Sequence, residues 1–541
     1  MMARWLTGSK RSGWVVCTGL FAFVHACSSS PDGPNAACKP GTIQTCKCAN
    51  DSEGRSTCLE SGDAFSSCMC DEGPDSKAGQ SAAAGASGSN EAAAGASGSA
   101  GGGLPPSAAG TGGAGGTGGM STMGSAGTMS MIDPSVAFVT EPMDDAVYVF
   151  DQSKVRTYNI VIAPADLATI DKQPSAELWV PAQLEFEGKS YGPLKVRYKG
   201  SEGSFKAPCT TDGPDDAKSG KCSIKLGFDE VDENARFYGL KKLNLHAMNH
   251  DNSLLRDRLG YSLFRDSDVV APRAAHAKVM INGALEGLFI AVEQVDGRFT
   301  RARFSEGGEG NVYKQSWITT GGETEFVNAL ETNSEVHDVS GMLDFKTSVQ
   351  TSADATQKFI DRAYVARYLA VDRVIVNDDG ALHFYCDPNS SNYSVGNGNY
   401  YWYQSAETKR FWLIPWDLDL AFDGTPWVTI HPKWNATAEC KCVAPTTGYA
   451  AQMPPSCDGL VKNFVMWKDD YEGEVDKFIQ GPFSAARVDE KLTAWTAQIK
   501  PFVMEAAAVH GAPAIDDWEY SVNQLRMKVE SQRANRGYKY E

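Results

Sequence analysis

Apolar and polar residues alternate along several stretches after residue 150, a pattern typical of strands that bury one face. The run 276–296, HAKVMINGALEGLFIAVEQVD, shows this pattern on both sides of Asn282-Gly283, a pair that favours the tight turn of a β-hairpin. Similar strand-like runs lie at 157–167, 176–201, 222–229, 399–404 and 410–422. The first part of this region is therefore predicted to be mainly sheet.

Apolar residues at helical spacing mark other stretches. In 253–266, SLLRDRLGYSLFRD, leucines recur at helical intervals, and Asp251 or Asn252 is placed to cap the helix. The stretch 355–376 has a second apolar stripe. The tail after residue 516 has a third, which consists of Trp518, Val522, Leu525 and Val529. Strands first and helices afterwards, with a loop-rich hairpin among them, predict an α+β fold.

The composition of the chain supports a sizeable core and restricts its partners. Of 541 residues, 42% are hydrophobic and 10% aromatic, and the formal net charge is −17. Non-specific binding to nucleic acid depends on Lys and Arg that neutralise phosphates, so this charge argues against nucleic acid as a partner. The sequence also contains no Gly-x-Ser-x-Gly elbow and no Cys/His cluster of metal type, so serine and zinc hydrolases have no support.

The N-terminus has the pattern of an export signal. Arg4, Lys10 and Arg11 precede a short apolar stretch that ends in VHAC, which resembles a bacterial lipobox. Residues 1–26 are therefore expected to be a signal peptide, with a lipid attached to Cys27. The alternative is an ordinary secretory signal cut nearby. The protein is accordingly expected in the cell envelope, at the outer membrane or cell surface, and to meet the membrane through its lipid anchor only.

The cysteine count fits export. Two of the 14 cysteines belong to the predicted signal, and the others divide into six within 38–70 and six beyond residue 200. Even numbers of cysteines in an exported chain predict disulfides. The segment 27–71 is therefore predicted to be ordered by disulfides, with zinc as the rival interpretation. Cys209 and Cys222 bracket a polar loop that a disulfide would staple.

A change of composition separates this segment from the rest. Residues 72–131 are dominated by Gly, Ala, Ser and Thr and repeat AAAGASGS at 82–89 and 92–99. Such a segment buries too little surface to fold and is predicted to be a flexible linker. The residues that carry chemistry are therefore expected in a domain at 132–541.

The strand-like run RFWLIPWDLDLAF, 410–422, carries two carboxylates, Asp417 and Asp419. Side chains alternate along a strand, so both aspartates are expected to point the same way, where they repel each other unless a cation lies between them. Carboxylate oxygens suit Mg²⁺, Mn²⁺ or Ca²⁺. The alternative is that Asp417 caps a turn or pairs with a buried arginine.

Two further strings extend this candidate site. NDDG at 377–380 places carboxylates in a loop after a helix, although it is also a common turn string. VRYKGSEGSFKAP offers Arg197 and Lys199 among glycines, a combination that holds phosphate through backbone N–H groups and a cation. Lys225, on another strand, is expected to be a surface lysine. A metal-binding pole and an anion-binding pole together suggest phosphoryl chemistry.

The order of the motifs resembles the CotH kinase family over roughly residues 140–540. The motifs are VRYKGSEGSF, KKLNLHAMNHDNSLLRDRLGYSLFR, VMINGALEGLFIAVEQVD, GNVYK, NDDGALHF, NYYWY and FWLIPWDLDLAF. The resemblance implies an atypical protein-kinase-like fold, with an N-terminal mainly β lobe and a C-terminal mainly helical lobe whose β-hairpin carries the metal aspartates. It also implies ATP with Mg²⁺ or Mn²⁺ as cofactors, and transfer of phosphate to Ser or Thr of surface or secreted proteins.

The resemblance assigns roles to the acidic residues. Asp417 looks like the metal ligand that bridges the nucleotide phosphates, and Asp419 supports it or binds a second ion. Asn399 matches an asparagine that helps to hold metal. Asp379 looks like the catalytic aspartate that orients the substrate hydroxyl, and Asp378 is the neighbouring candidate.

The resemblance assigns nucleotide contacts as well. Lys199 looks like the cation that faces the phosphates, with Arg197 beside it and Lys225 as the alternative. Glu293 lies where the chain would pass the adenine, so the backbone of its neighbours is expected to matter more than its side chain.

One departure from the family pattern is the insertion CDPNSSNYSVGNG at 386–398, between the catalytic-loop aspartate and Asn399. The insertion either shapes a substrate groove or blocks it. An exported kinase and a non-catalytic surface binding or scaffold protein therefore both stay as hypotheses, and a metal-dependent phosphohydrolase is a third. Two disulfides around the site are expected among Cys386, Cys440, Cys442 and Cys457.

Overall fold

We describe a computed structural model of the full chain. The described residues are 43–47, 53–57, 146–200, 209, 221–377, 379–386, 395–422, 440–442, 451–510 and 513–536. Cys27, Asp378, the predicted signal and the predicted linker lie outside these residues. The chain divides into two compact units, Met1–Ser121 and Thr122–Glu541. Among the helices that the structure describes, we find none with both the length and the apolar character that crossing a bilayer requires.

The first unit contains a short hairpin within the cysteine-rich segment. Strands β1 (Ile43–Lys47) and β2 (Glu53–Thr57) pair antiparallel, with Ile43 opposite Thr57. Cys46, on β1, is disulfide-bonded. So small a pair of strands is marginal without a covalent link, which agrees with the predicted role of disulfides here.

The second unit begins with a closed barrel. The alternating runs predict its strands except the one at 242–246, and they do not predict the closure. Its strands are β3 (Arg156–Ile162), β4 (Val180–Phe186), β5 (Lys189–Lys199), β6 (Ser223–Gly227), β7 (Lys242–His246), β8 (Ala274–Ile281) and β9 (Ala284–Glu293). They are hydrogen-bonded in the order β3-β4-β5-β6-β7-β9-β8, and a parallel β3–β8 pair closes the ring. Buried and exposed residues alternate strictly along β4, so one face of each strand fills the barrel interior.

The hairpin predicted at Asn282-Gly283 is confirmed, and it also helps to close the barrel. Both residues adopt the left-handed conformation that this turn requires, with φ of 51° and 81°. The Asn282 side-chain oxygen accepts a hydrogen bond from the backbone N–H of Ile162 on β3 at 2.8 Å. The Asn159 side chain of β3 in turn accepts one from the N–H of Gly283 at 2.9 Å. The turn residues thus fasten the β8–β9 hairpin to β3.

The rest of the second unit is mainly helical, with two small sheets. The helices are α1 (Ala146–Val149), α2 (Pro164–Lys172), α3 (Arg256–Asp266), α4 (Gly297–Arg301), α5 (Glu323–Asn328), α6 (Ser340–Thr351), α7 (Ala353–Thr356), α8 (Arg362–Val374), α9 (Gly459–Val465), α10 (Lys468–Gln480), α11 (Ala485–His510) and α12 (Ile515–Ala534). One sheet has the order β10 (Asn311–Lys314), β13 (Tyr400–Gln404), β14 (Phe411–Pro415), and the other β12 (Val395–Gly396), β11 (Tyr385–Cys386), β15 (Ala451–Gln452). Short 3₁₀ turns lie at Pro174–Ala176 and Pro455–Cys457. The predicted α+β fold is confirmed at this level.

The predicted helix 355–376 is wrong as a single element. Helix α7 ends at Thr356, and α8 begins only at Arg362, where the Asp361 carboxylate caps it by accepting from the N–H of Tyr364 at 2.7 Å. The intervening carbonyl of Phe359 accepts a hydrogen bond from the N–H of Phe411 at the start of β14. Contact with the sheet therefore breaks the helical pattern, and only tertiary structure supplies that contact.

The other helical predictions hold with small shifts at their ends. Helix α3 begins at Arg256, and Asp251 accepts from the Arg256 N–H at 2.7 Å, so this aspartate supports the helix start from five residues upstream. Helix α12 buries the predicted stripe, and the indole N–H of Trp518 donates to the carbonyl of Ser253 at 3.0 Å. The last helix is thereby joined to the segment that precedes α3.

The disulfides predicted beyond residue 200 are present. Cys209 pairs with Cys222, Cys386 with Cys442, and Cys440 with Cys457. The last two pairs connect β11 to the 3₁₀ turn that precedes α9, next to the loop that carries Asp379.

Candidate functional site

One cleft, with a cavity volume of about 250 Å³, brings the barrel and the helical part together. On the barrel side it is lined from β5, β6 and β7. On the other side it is lined from the loops that follow β10, α8 and β14. The predicted site residues that line it are Arg197, Lys199, Lys225, Asp379, Asn399, Asp417 and Asp419. Residues more than two hundred positions apart in the chain therefore share one cavity.

Asp417 and Asp419 lie in the cleft, but not because they alternate along a strand as predicted. Strand β14 ends at Pro415, so neither aspartate is on a strand, and Asp417 has a φ of 52°. The backbone N–H of Asp417 donates to the hydroxyl of Tyr261, and that of Leu418 donates to the Asp257 carboxylate, both at 2.9 Å. A loop anchored to helix α3, rather than strand alternation, therefore presents the two carboxylates on either side of the buried Leu418.

A glycine on α3 leaves the space in which this loop sits. A Cβ atom added to Gly260 would lie 2.8 Å from the Leu418 Cδ1 atom and 3.2 Å from its Cβ atom. Contacts this short require the neighbour to move. Because Leu418 separates the two cleft aspartates, any displacement of Leu418 displaces them as well.

We expect Gly260→Ala to destabilise the protein by about 1–3 kcal/mol, the usual cost of overpacking a core. The matched control is Gly473→Ala, also within a helix, where an added Cβ meets nothing within 4 Å. That substitution is expected to stabilise by up to about 1 kcal/mol, because alanine is the better helix former. Urea unfolding of both variants measures the difference. Equal stabilisation by both would contradict the close packing of α3 on Leu418.

The acidic groups of the cleft repel one another. The Asp417 side chain is 42% exposed, and its Oδ1 lies 4.0 Å from Nδ1 of His246. A buried arginine partner of Asp417, the alternative to a cleft role, is not found among the residues described. Burial first, then the charges of Asp417 and Asp257, raise the pKa of Asp419 well above its ordinary value. This part of the cleft therefore has an excess of negative charge.

Asp379, on the same side of the cleft as Asp417, is held by two neutral side chains. The hydroxyl of Tyr385 donates to Oδ1 of Asp379 at 2.6 Å, and the amide of Asn399 donates to Oδ2 at 2.7 Å. Burial first, with the charge of Asp417 adding to it, raises the pKa of Asp379. Asn399 lies beside Asp379 although the insertion separates the two in sequence, so the insertion does not displace Asn399 from the site.

Lys199 is the most enclosed cation of the cleft. Its Nζ lies 2.8 Å from Nε2 of His246 and 5.2 Å from the centre of the Trp416 ring. Burial lowers the pKa of Lys199 to about 7, although the charge of Asp417 acts in the opposite direction.

The register of strands β5 and β6 determines the positions of the neighbouring cations. Arg197 lies opposite Lys225 in the β5–β6 pair, and Lys199 lies opposite Ser223, so these side chains share the outward face of the barrel. Burial lowers the pKa of Lys225 to about 8. Lys225, predicted as a surface lysine and as an alternative nucleotide contact, is half-buried and lines the cleft. Arg197 is ion-paired with Glu177, which also lines the cleft.

The side chain of Glu293 does not line the cleft, so its prediction as a nucleotide-binding residue is corrected to a structural role. Its carboxylate is fully buried and ion-paired with Arg273, Arg298 and Arg303. Burial opposes its ionisation, but the guanidinium groups of Arg303 and Arg273 outweigh this effect and hold the pKa of Glu293 well below its ordinary value. Only the following residue, Gln294, reaches the cleft.

The residues that sequence reasoning missed include His246 and Asp257, which lie around Asp417. His246 ends β7 and Asp257 lies in the first turn of α3, and each places a ligand atom within 4.8 Å of the others in a group with Asp417. Neither stands in a metal-ligand spacing with Asp417, which is more than 150 residues away. Both lie in the motif KKLNLHAMNHDNSLLRDRLGYSLFR, one of the motifs that carry the resemblance to the CotH kinase family.

A family model described as "CotH kinase protein" matches residues 196–535, which is more than half of the chain. The chain belongs to this family. It is also similar to the inner spore coat protein H of Bacillus subtilis (strain 168), with 24% identity over 374 residues that cover 65% of this chain and 89% of that protein. The match to the family model starts within β5, so it includes every predicted cleft residue but leaves out β3 and β4.

Proposed function

We propose that this protein is a divalent-metal- and ATP-dependent protein kinase that transfers phosphate to Ser or Thr hydroxyls of surface or secreted proteins. The observation that carries the proposal is the distribution of charge in this cleft. Arg197, Lys199 and Lys225 lie along its barrel side, and Asp379, Asp417 and Asp419 lie along the other. Family membership supports the same reaction, through the family name alone.

The carboxylates fit a divalent cation. Asp417 and Asp419 line one cavity. The charge of Asp417 adds to burial in raising the pKa of Asp419 and of the buried Asp257. A divalent ion bound there would offset this repulsion and neutralise charge on the transferred phosphate. Asp417 and Asp419 are the proposed ligands, with Asn399 close to them in the cleft.

The other residues supply positioning and charge. Phosphoryl transfer needs little covalent chemistry from a protein, so the proposed work is alignment and electrostatic stabilisation. Lys199 and Lys225 neutralise phosphate oxygens, and Arg197 adds charge beside them. Asp379, fixed by Tyr385 and Asn399, orients the attacking hydroxyl and accepts its proton.

The proposed location follows from the predicted signal and the disulfides. A lipid on Cys27 would hold the protein at the cell envelope, and three disulfides beyond residue 200 suit an oxidising compartment. The similar protein of Bacillus subtilis is, by its name, a spore coat protein, which supports a surface location here. Proteins of the same surface are the proposed substrates.

The test is a transfer assay with the full chain and ATP radiolabelled on its terminal phosphate, with Mn²⁺ or Mg²⁺ and a Ser/Thr-rich acceptor protein. We expect label on Ser or Thr of the acceptor or of the protein itself, and none after chelation of the metal. Release of free phosphate without labelled protein would instead indicate a phosphohydrolase. Absence of ATP binding by calorimetry, with metal present, would indicate a non-catalytic surface binding protein.

A further inference from the structure

We propose that the divalent ion of the cleft is bound by a mixed nitrogen and oxygen set, namely Nδ1 of His246 with the carboxylates of Asp257 and Asp417. The centre would then favour a first-row transition ion such as Mn²⁺ over Mg²⁺ or Ca²⁺. The inference rests on the proposed function only in that both place a divalent ion in this cleft. It keeps Asp417 as a ligand and adds His246 and Asp257, while Asp419 would support the site without bonding this ion.

The first argument is geometric. His246 at the end of β7, Asp257 on α3 and Asp417 on the loop after β14 each bring one ligand atom within 4.8 Å of the other two. Two of these elements, the loop and α3, are held together by the hydrogen bonds from the N–H groups of residues 417 and 418 to α3. Three ligands from separate rigid elements form a site that is organised before the ion arrives, which favours binding.

The second argument is that two of these ligand atoms lack partners although they are buried. His246 and Asp257 are 4% and 1% exposed. Among the described residues, Nδ1 of His246 and Oδ2 of Asp257 have no hydrogen-bond partner. Leaving such groups unsatisfied costs about 1–3 kcal/mol each, and more for a charged one. A cation between them would satisfy both atoms and the charge of Asp417.

The donor set decides the class of ion. Mg²⁺ and Ca²⁺ prefer oxygen ligands alone, whereas imidazole nitrogen suits first-row transition ions. Mn²⁺ accepts carboxylate ligands as well, and its unpaired electrons report which atoms are bonded to it. It is therefore the probe of choice for this site.

Metal binding at Nδ1 has a consequence for Lys199. An imidazole that bonds a metal through one nitrogen carries its proton on the other. Nε2 of His246 would then be a donor, and the ammonium of Lys199, 2.8 Å away, would lose its acceptor. A protonated Lys199 side chain would then be free of His246 and available to a phosphate in the cleft. The ion would thus prepare the cationic side of the site before nucleotide binds.

The experiment is pulsed electron paramagnetic resonance of Mn²⁺ added to the full chain without nucleotide. We expect one tightly bound Mn²⁺ with a nitrogen hyperfine coupling typical of bonded imidazole, which changes on ¹⁵N-histidine labelling. His246→Asn should abolish the coupling and lower Mn²⁺ affinity at least about 10-fold. Loss of a residue that only supports a metal ligand already has an effect of about this size, so loss of the ligand itself should have at least the same effect. Mg²⁺ affinity should fall less.

The matched control is His250→Asn, since His250 lines the same cleft but is not in the ligand group. This variant should keep the nitrogen coupling. Wild-type protein that binds Mn²⁺ without a nitrogen coupling, or that binds none at millimolar Mn²⁺, would overturn the inference without reliance on any variant. Loss of the coupling in His250→Asn rather than His246→Asn would also overturn it.

The proposed function and this inference fail independently. Transfer activity without a nitrogen coupling would support the proposed function and contradict the metal ligands. A nitrogen coupling without ATP binding would support the metal ligands and contradict the proposed function.

Discussion

Asp417→Asn is expected to lower the rate of phosphoryl transfer at least about 100-fold, the scale on which loss of one electrostatic stabiliser of a transition state acts. The amide keeps the size of the side chain but removes the negative charge that faces the cleft. The Asp417 side chain is 42% exposed, and the loop is anchored by the backbone N–H of Asp417 rather than by its carboxylate. The fold should therefore persist in this variant. Initial rates of acceptor labelling at saturating ATP and metal measure the effect.

The matched control for this substitution is Asp469→Asn. Asp469 is an exposed aspartate in the first turn of α10 and does not line the cleft. It should keep the wild-type rate. Thermal unfolding of both variants shows whether a loss of activity occurs in a folded protein or results from unfolding. A folded Asp417→Asn protein with wild-type transfer would remove Asp417 from the mechanism.

Glu293→Gln is expected to destabilise the protein by about 3–5 kcal/mol, because the substitution leaves three arginines around a neutral buried side chain. The glutamine keeps nearly the same volume, so the loss is electrostatic. The control is Glu309→Gln, whose side chain is 67% exposed and pairs with Arg301 at 3.4 Å. Surface pairs of this kind contribute about 0–1 kcal/mol, so this control should unfold close to wild type in urea.

The same group predicts a dependence on pH. The folded pKa of Glu293 lies below its ordinary value of 4.5, so its contribution to stability is present above pH 4.5 and is lost as the pH falls towards the folded pKa. Wild type should therefore lose more stability than Glu293→Gln when urea unfolding is repeated at decreasing pH below 4.5. Parallel pH profiles for the two proteins would show that the carboxylate is not ionised in the folded state.

Local sequence patterns were sufficient where a short-range rule decides the structure. The alternating runs marked the barrel strands apart from β7, and Asn282-Gly283 marked the β8–β9 hairpin because few residues adopt a positive φ there. The stripe on α12 marked the buried face of that helix. The motif order identified the family, and the match to the family model confirms it.

Other features depended on contacts between distant segments. The break before α8 arises where Phe359 pairs with β14, and the enclosure of Lys225 arises from its neighbours across β5 and β6. Glu293 closes the motif GLFIAVE, yet three arginines determine what it does. In each case the local sequence pattern was also compatible with an environment other than the one that the tertiary structure shows.

The sequence by itself determined the α+β class, most strands, the presence of disulfides around the site, and several of the acidic and basic residues that line the cleft. Only the tertiary structure decided that the strands close into a barrel and that Asp417 and Asp419 leave the strand on a loop held by α3. It also placed His246 and Asp257 beside them. The physical reason is that periodicity reports which face of an element is buried, whereas a ligand group depends on distances between elements that lie far apart in the chain.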